Sequence, residues 1–393
     1  MSTPAAIIDA PLFAMRWRPF RLPLRHRFEA AHGALADRTG VLVECVAADG
    51  TRGIGEASPL PSLGDGTAGD VLALLAAHGA ALLRGDLLLP TGPGVAALRC
   101  ALDAARLDIE GRQRGLPVAA LLSPAHVLEV RVNAVIGTGT PDEVARYGRE
   151  ALAAGYEVLK LKVAVGTLDA DIASVAALRA ACPGAPIRLD ANGAWSEAQA
   201  AEALERLAAL RIELIEQPVA ASNLDALARL RGCGVRIAAD EAAASPEAGG
   251  RVVAARAADL LVLKPMRLGG VRPAFALAQS AWAAGLPSIA TTTFDSSIGT
   301  AVALHLAAAL DGLGAGGLGA ERLAQQQAER LAHGLSTGDH LADDLVQPSL
   351  LPAGGRLRLR NAPGLGVGLG IEVDAAALDR LATGPWVECG GRA

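Results

Sequence analysis

From about residue 128 onward the chain alternates short apolar segments with amphipathic stretches, and this alternation narrows the possible folds more than any other feature. The segments of strand character are Leu128–Ile136, Val158–Val163, Ile187–Asp190, Leu214–Glu216, Ile237–Asp240, Leu260–Lys264, Ser288–Thr292 and a weaker one near Gly317–Gly319. Helical patterns lie between them with start signals of their own. Ser196 and Gln199, for example, form a capping box ahead of Ala200–Leu210. Parallel neighbours need a long, usually helical crossover, so strict alternation predicts a parallel sheet. Eight such units predict an α/β fold, a modified TIM-type (β/α) barrel of about seven or eight units. An open doubly wound sheet is the alternative. It usually carries a Gly-rich phosphate loop after its first strand, and Val135-Ile136-Gly137-Thr138-Gly139-Thr140 matches that only weakly.

The flanks are different in character. Residues 1–125 mix strand and helix and read as an α+β capping domain. Val41–Val46 is a strand, Gly50 offers a turn, Gly53–Pro59 is a turn-rich exit from the next strand, and Ala96–Gly111 has helical spacing. Val71–Leu89 is apolar but interrupted by His78, Gly79, Arg84, Gly85 and Asp86, so it reads as an amphipathic helix followed by a loop, not a membrane span. The barrel is expected over 126–320. Residues 321–393 are rich in Pro and Gly, with a short helix at Asp374–Leu381, and are expected to return to the capping domain.

A net charge of −5 provides no basic field for nucleic acid. Cys45, Cys100, Cys182, Cys233 and Cys389 are scattered, without metal-type spacing, and suit a reducing cytoplasm. Met1–Ala10 has no basic start followed by an apolar core, so no secretory leader is expected. The expected partner is a small-molecule carboxylate, with no nucleic acid or membrane, and a homo-oligomer is compatible with the chain.

The chain has 36 Lys plus Arg, and only three of these are lysines: Lys160, Lys162 and Lys264. A GC-rich genome explains why lysines are few. It does not explain why the survivors sit at the ends of apolar strands, where lysine is an awkward resident. Unlike arginine, a buried lysine can give up its proton. Carboxylates close the strands in between: Asp190, Glu216, and Asp240 followed by Glu241. In a barrel these strand ends face one pocket. Any one of the acids could simply cap the helix after its strand. Three together, flanked by lysines, point instead to a hard divalent cation, best Mg²⁺, with Mn²⁺ able to substitute. A lysine beside such a cation has its pKa lowered and can act as a general base. Lys160 and Lys162 are two residues apart and point the same way, so Lys160 can help lower the pKa of Lys162.

Lys160-Leu161-Lys162, Asp190-Ala191-Asn192, Ile215-Glu216-Gln217-Pro218, Asp240-Glu241 and Lys264-Pro265, in that order, resemble the enolase superfamily and its muconate-lactonizing branch. Gly53-Ile54-Gly55-Glu56 resembles that family's capping-domain motif, and Pro363-Gly364-Leu365-Gly366-Val367 its C-terminal return. The resemblance implies that Asp190, Glu216 and Asp240 hold Mg²⁺ and that Lys162 and Lys264 are the catalytic pair. Lys160, Asn192, Glu241 and Asp295 would support them. The His26–Arg38 segment would form a loop closing over the substrate, with His32 more often a surface residue than a catalytic one.

Thr291–Gly299 resembles o-succinylbenzoate synthases of this branch. That likeness implies dehydration in menaquinone biosynthesis, with Thr293, Ser296, Ser297 and a helix N-terminus receiving an anionic substrate group. Lys162 would then remove the proton and Lys264 stay protonated. The runner-up is N-succinylamino acid racemase, using both lysines as alternating bases. Muconate cycloisomerase and dipeptide epimerase remain open, although Gly317–Arg322 lacks the Asp-x-Asp pair that epimerases of this branch place after strand eight. A barrel that binds without catalysing is the reading from a different class.

Overall fold

The computed structural model describes residues 12–30, 33–85, 89–314, 330–360 and 367–390. Its first layer is an antiparallel sheet. Strands β1 (Ala14–Ala30) and β2 (Gly33–Val46) make a long hairpin, and β3 (Arg52–Ala57) pairs with β2. The last strand, β13 (Val387–Gly390), pairs with the other edge of β1, so the end of the chain returns to its beginning. The helix Val95–Arg114 lies directly on β3. A Cβ at Gly53 would fall 2.1 Å from the Ala105 carbonyl oxygen, and one at Gly55 would fall 2.0 Å from that of Ala101. The Gly-x-Gly spacing in this motif is therefore a packing requirement, because only glycine lets helix and strand backbones come this close.

Within the His26–Arg38 segment expected to be a loop, residues 26–30 continue β1 and residues 33–38 begin β2, with a register shift between Pro23 and Phe28. The sequence hides a strand period there, because Ala30-Ala31 and Ala34-Leu35-Ala36 break the alternation of apolar and polar residues. His32 lies outside the described residues.

The second layer is parallel. Strands β5 (Ala134–Ile136), β6 (Leu159–Lys162), β7 (Ile187–Asp190), β8 (Ile212–Glu216), β9 (Arg236–Ala239), β10 (Leu260–Leu263) and β11 (Ser288–Ala290) lie side by side in chain order. Helices alternate with them, as the sequence pattern predicts. The expected strand Leu128–Ile136 divides in two. Its first part, β4 (Glu129–Arg131), pairs antiparallel with β12 (Arg356–Arg358), and only β5 joins the parallel sheet.

The two edges of that sheet are joined by His333 and Gly334. Gly334 N donates to Ala290 O at 2.9 Å and Thr292 N to Gly334 O at 3.1 Å, while Asn133 N donates to His333 O at 3.0 Å. These residues occupy the eighth position of the ring. The strand expected near Gly317–Gly319 lies outside the described residues, as does Pro363–Gly366. The closing segment escaped notice because it is short and has no β-branched run.

The strands of the ring are covered on both faces over most of their length. Leu159, Leu161 and Val163 turn outward against helices, while Lys160 and Lys162 turn into the ring. Beneath the lysines, Leu214, Ala238, Leu260, Val262 and Ile289 form a separate apolar cluster. Burying a side chain of leucine size contributes about 2 kcal/mol, so this plug gives the polar groups above it a firm floor.

Candidate active site

The two-residue period and the strand register together build the site. Lys162 pairs with Asp190, and Asp190 with Glu216, across three adjacent strands, so the three side chains stand in a row. Asp240 follows β9 and starts a tight turn through Glu241–Ala243. Asp190, Glu216 and Asp240 are 5%, 2% and 3% exposed. Burial of three carboxylates this deep requires cations beside them.

The lysines supply that charge. Lys160 Nζ donates to both oxygens of Glu216 at 2.8 Å and lies 3.1 Å from Asp190 Oδ2. Lys162 Nζ is 3.5 Å from Asp190 Oδ2 and donates to Asn192 Oδ1. Lys264 Nζ donates to Asp240 Oδ2. Asn192 Nδ2 in turn donates to Glu241 Oε1 at 2.9 Å. The sequence-predicted lysines, carboxylates, Asn192 and Glu241 thus meet in one cavity of ≈ 140 Å³ at the C-terminal end of the ring.

The protonation pattern follows from this crowding. Burial opposes charge on Lys160, but Asp190, Glu216 and Asp240 outweigh it and strengthen its hold on the proton. Lys264 is likewise shifted upward, its burial outweighed by Asp240, Glu216 and Glu241. Burial would raise Asp190, yet Lys160, Lys162 and Lys264 hold it below the usual carboxylate range. Burial, opposed by Lys160 and reinforced by Asp190 and Asp240, pushes Glu216 up to about 8. Burial and the adjacent Asp240 push Glu241 up to about 7.

Three residues just past the strand ends hold left-handed backbone without being glycine: Ala164 at φ 63°, Asn192 at φ 45° and Gln217 at φ 41°. Such conformations persist where surrounding bonds hold them, often at functional sites. Gln217 shows those bonds. Its Oε1 accepts from Asp240 N at 3.1 Å and Ala242 N at 3.0 Å, and its Nε2 donates to Val219 O at 2.8 Å. It ties the turn bearing Glu216 to the turn bearing Asp240. Gln217 stands in the Ile215–Pro218 motif with no role read from the sequence; a glutamine directly after the candidate ligand Glu216 was the available signal.

The substrate-binding expectations divide. Thr293 lines the cavity, as do Thr291, Thr292 and Phe294. Ser296 and Ser297 do not. Ser296 Oγ donates to Glu56 of β3 and Ser297 Oγ to Asp344, so neither hydroxyl is turned to the cavity. Glu56 also accepts from Gly299 N at 2.9 Å, so a protein carboxylate already fills the helix N-terminus expected to receive a substrate anion. Asp295 sits behind the wall, accepting from Thr293 Oγ1 at 2.7 Å. Glu56 and Asp344 were missed as partners because both are far away in sequence.

The residues after the closing segment are Leu335-Ser336-Thr337-Gly338-Asp339. Thr337 lines the cavity, and Asp339 lies outside it, accepting from Tyr156 OH at 3.2 Å. No Asp-x-Asp pair stands there; Gly317–Arg322, where the sequence was searched for one, lies outside the described residues.

The donor set suits a hard cation, being three buried carboxylates that offer only oxygen. A fourth acceptor, Glu241 Oε2, is buried with no hydrogen-bond partner. As they stand, the acids are spread toward the lysines, and no group of three metal-ligating side chains is clustered among the described residues. Chemistry and burial fit a divalent ion, provided the lysines give way.

A family model described as Enolase C-terminal domain-like matches residues 143–376. A chloromuconate cycloisomerase of Cupriavidus pinatubonensis is 32% identical over 313 residues, covering 75% of this chain and 84% of that protein. An N-succinyl-L-Arg/Lys racemase of Bacillus cereus is 28% identical over 300 residues, covering 73% and 81%. The solved structure of N-succinyl Arg/Lys racemase from that organism superposes with a TM-score of 0.84, over 96% of this chain and all of that one, at 24% identity. The dipeptide epimerase of Enterococcus faecalis, solved with Mg and the dipeptide L-Leu-L-Tyr, superposes with a TM-score of 0.80 at 26% identity, covering 92% and 99%. Among the described residues no helix is long and apolar enough to cross a membrane.

Proposed function

The chain belongs to the enolase superfamily, and from that membership we propose that it racemises an N-acylated amino acid. The proton next to the substrate's carboxylate would move from one face of the carbon to the other. The placement of Lys162 and Lys264 carries this reading. Lys162 ends β6 and Lys264 follows β10, four positions apart in a ring of eight, so they face each other across the cavity. Two bases on opposite faces are what inversion of a carbon centre requires.

Asp190, Glu216 and Asp240 would hold Mg²⁺. When bound, the ion supplies electrostatic stabilisation to the substrate carboxylate as the neighbouring carbon loses its proton. The protein's own groups do the rest. Lys162 takes the proton from one face, steadied by Asn192, and Lys264 returns one to the other; the opposite enantiomer reverses their roles. Lys160 bridges Glu216 and Asp190 and offsets the repulsion between them.

The other readings of the branch rank lower. A free dipeptide brings an ammonium group, which needs a carboxylate. The acids lining the cavity among the described residues are Asp190, Glu216, Asp240 and Glu241; the first three are held by lysines and would take the metal, and Glu241 accepts from Asn192 on Oε1, which leaves only its buried Oε2. An acylated nitrogen makes no such demand, and the likeness to an N-succinylamino acid racemase supports it. Dehydration to o-succinylbenzoate would begin with the same proton abstraction by Lys162, with Lys264 staying protonated. Its support was the Thr291–Gly299 run; Thr293 of that run lines the cavity, but the Ser296 and Ser297 hydroxyls and the helix N-terminus are engaged by Glu56 and Asp344.

The test is incubation of N-succinyl-L-phenylalanine and N-succinyl-L-valine with the protein and Mg²⁺ in heavy water. Deuterium at the α-carbon with loss of optical rotation, both stopped by chelator, is the expected result. No exchange there, together with conversion of 2-succinyl-6-hydroxy-2,4-cyclohexadiene-1-carboxylate to o-succinylbenzoate, would replace racemisation with dehydration.

A further inference from the structure

Arg38, on β2, is 1% exposed and lies where the antiparallel sheet meets the ring. Its Nη1 donates to Pro59 O at 2.9 Å and its Nη2 to Ser58 O, while its Nε donates to Phe294 O at 3.3 Å. The Asp295 carboxylate is 4.0 Å away. The first two carbonyls lead directly into Leu60, Ser62 and Leu63, which form the sheet-side wall of the cavity. The third belongs to Phe294, which forms part of the ring-side wall. Phe294 has φ 61°, a conformation that an aromatic residue seldom takes unless held. Behind it, Glu56 accepts from Ser296 N at 3.2 Å and Gly299 N at 2.9 Å, so the rear of the same turn is also tied to the sheet.

We propose that Arg38 is a positioning residue for substrate binding: one buried guanidinium holds three backbone carbonyls and so sets the separation of the two walls that enclose the substrate. The planar fork of arginine, with donors on several edges, suits this task. A lysine offers one point charge and can serve one wall at a time. No atom of Arg38 touches the reacting groups; it acts through Leu60–Leu63 on one side and Phe294 on the other.

The kinetic part of the test rests on the racemase reading; the exchange part does not. Arg38→Lys and Arg38→Met are made in the full chain. Backbone amide hydrogen exchange is then followed in residues 58–63 and 291–296. The expected result is faster exchange in both segments of Arg38→Met, with the barrel strands unchanged. Faster exchange in 58–63 alone would overturn the proposal, because the two walls would then not be coupled through Arg38. With N-succinyl-L-phenylalanine, Arg38→Met is expected to raise KM about tenfold while kcat stays within about threefold, with Arg38→Lys in between. A lowered melting temperature with KM unchanged would assign Arg38 to stability only, and so overturn its role in binding. A fall in kcat at constant KM would also overturn it. If wild-type protein exchanges no α-proton with any N-acylated amino acid, the racemase reading fails, and the coupled exchange of the two walls still decides the role of Arg38.

Discussion

Asn192 stands between Lys162 and Glu241, accepting the ammonium on Oδ1 and donating through Nδ2 to the Glu241 carboxylate at 2.9 Å. This arrangement aims Lys162, because an amide oxygen accepts from its nitrogen and fixes the direction in which the side chain points. Asn192→Ala removes the guide and leaves the base free to rotate. The expected result is a fall in kcat of about 10- to 100-fold with KM little changed, since orientation is lost but the pocket is kept. Steady-state rates of wild-type protein and variant, measured in both directions, check this. A KM effect without a kcat effect would show that Asn192 binds substrate instead.

The opposed lysines predict a split between exchange and inversion. Lys162→Ala and Lys264→Ala should each abolish racemisation, since each direction needs both groups. Each variant should still exchange the α-proton of one enantiomer, the one whose proton faces the remaining lysine. Proton NMR of the separate D and L forms in heavy water reads this out, and Mg²⁺ binding should persist in both variants. Substantial racemisation by either variant would sink the two-base assignment.

Glu216 is pushed up to about 8 and Glu241 up to about 7, so both carry a share of proton near neutrality. A divalent cation must displace protons from such groups before it binds. Below these values its affinity is expected to rise about tenfold per pH unit for each proton released, levelling off above about 8. Calorimetric Mg²⁺ titrations in buffers of different ionisation enthalpy would detect the released protons. Mn²⁺, equally served by oxygen ligands, is expected to follow the same profile. Affinity independent of pH would mean that Glu216 is already ionised at neutrality.

The lysines and acids could be read from the sequence because a short buried strand leaves little freedom. Its register and two-residue period decide which side chains enter the ring, so Lys160, Lys162, Asp190 and Glu216 could be assigned to one pocket by inspection. Asp240 and Lys264 follow the same logic one residue beyond their strands. What could not be read depends on distant partners. Ser296 and Ser297 look like free hydroxyls at a helix start, and only the folded chain brings Glu56 and Asp344 to them. The His26–Arg38 stretch looks like a loop because Ala30-Ala31 and Ala34-Leu35-Ala36 break any two-residue alternation. Ring closure by His333 and Gly334 rests on a few backbone bonds that leave no apolar signature.

His305 lies in the helix Ser297–Leu310 at 2% exposure, and its Nδ1 accepts from Ala119 N at 3.1 Å. Burial lowers its pKa from 6.5 to about 4; a bond to the Leu369 backbone opposes that shift and nearby His126 adds to it. The folded chain therefore keeps His305 neutral at pH values where the unfolded chain protonates it. Between 6.5 and about 4 the unfolded state binds more protons, so this contribution is fully present above 6.5 and is lost as pH falls through the window. The slope is about 1.4 kcal/mol per pH unit. His305→Gln keeps an acceptor for Ala119 N but does not titrate. Urea unfolding of wild-type protein and variant at several pH values, taken as a difference, cancels the other titrating groups. The difference should change along that slope within the window and be flat outside it. A difference independent of pH would mean that the folded and unfolded chains protonate His305 alike, as they would if water reached it.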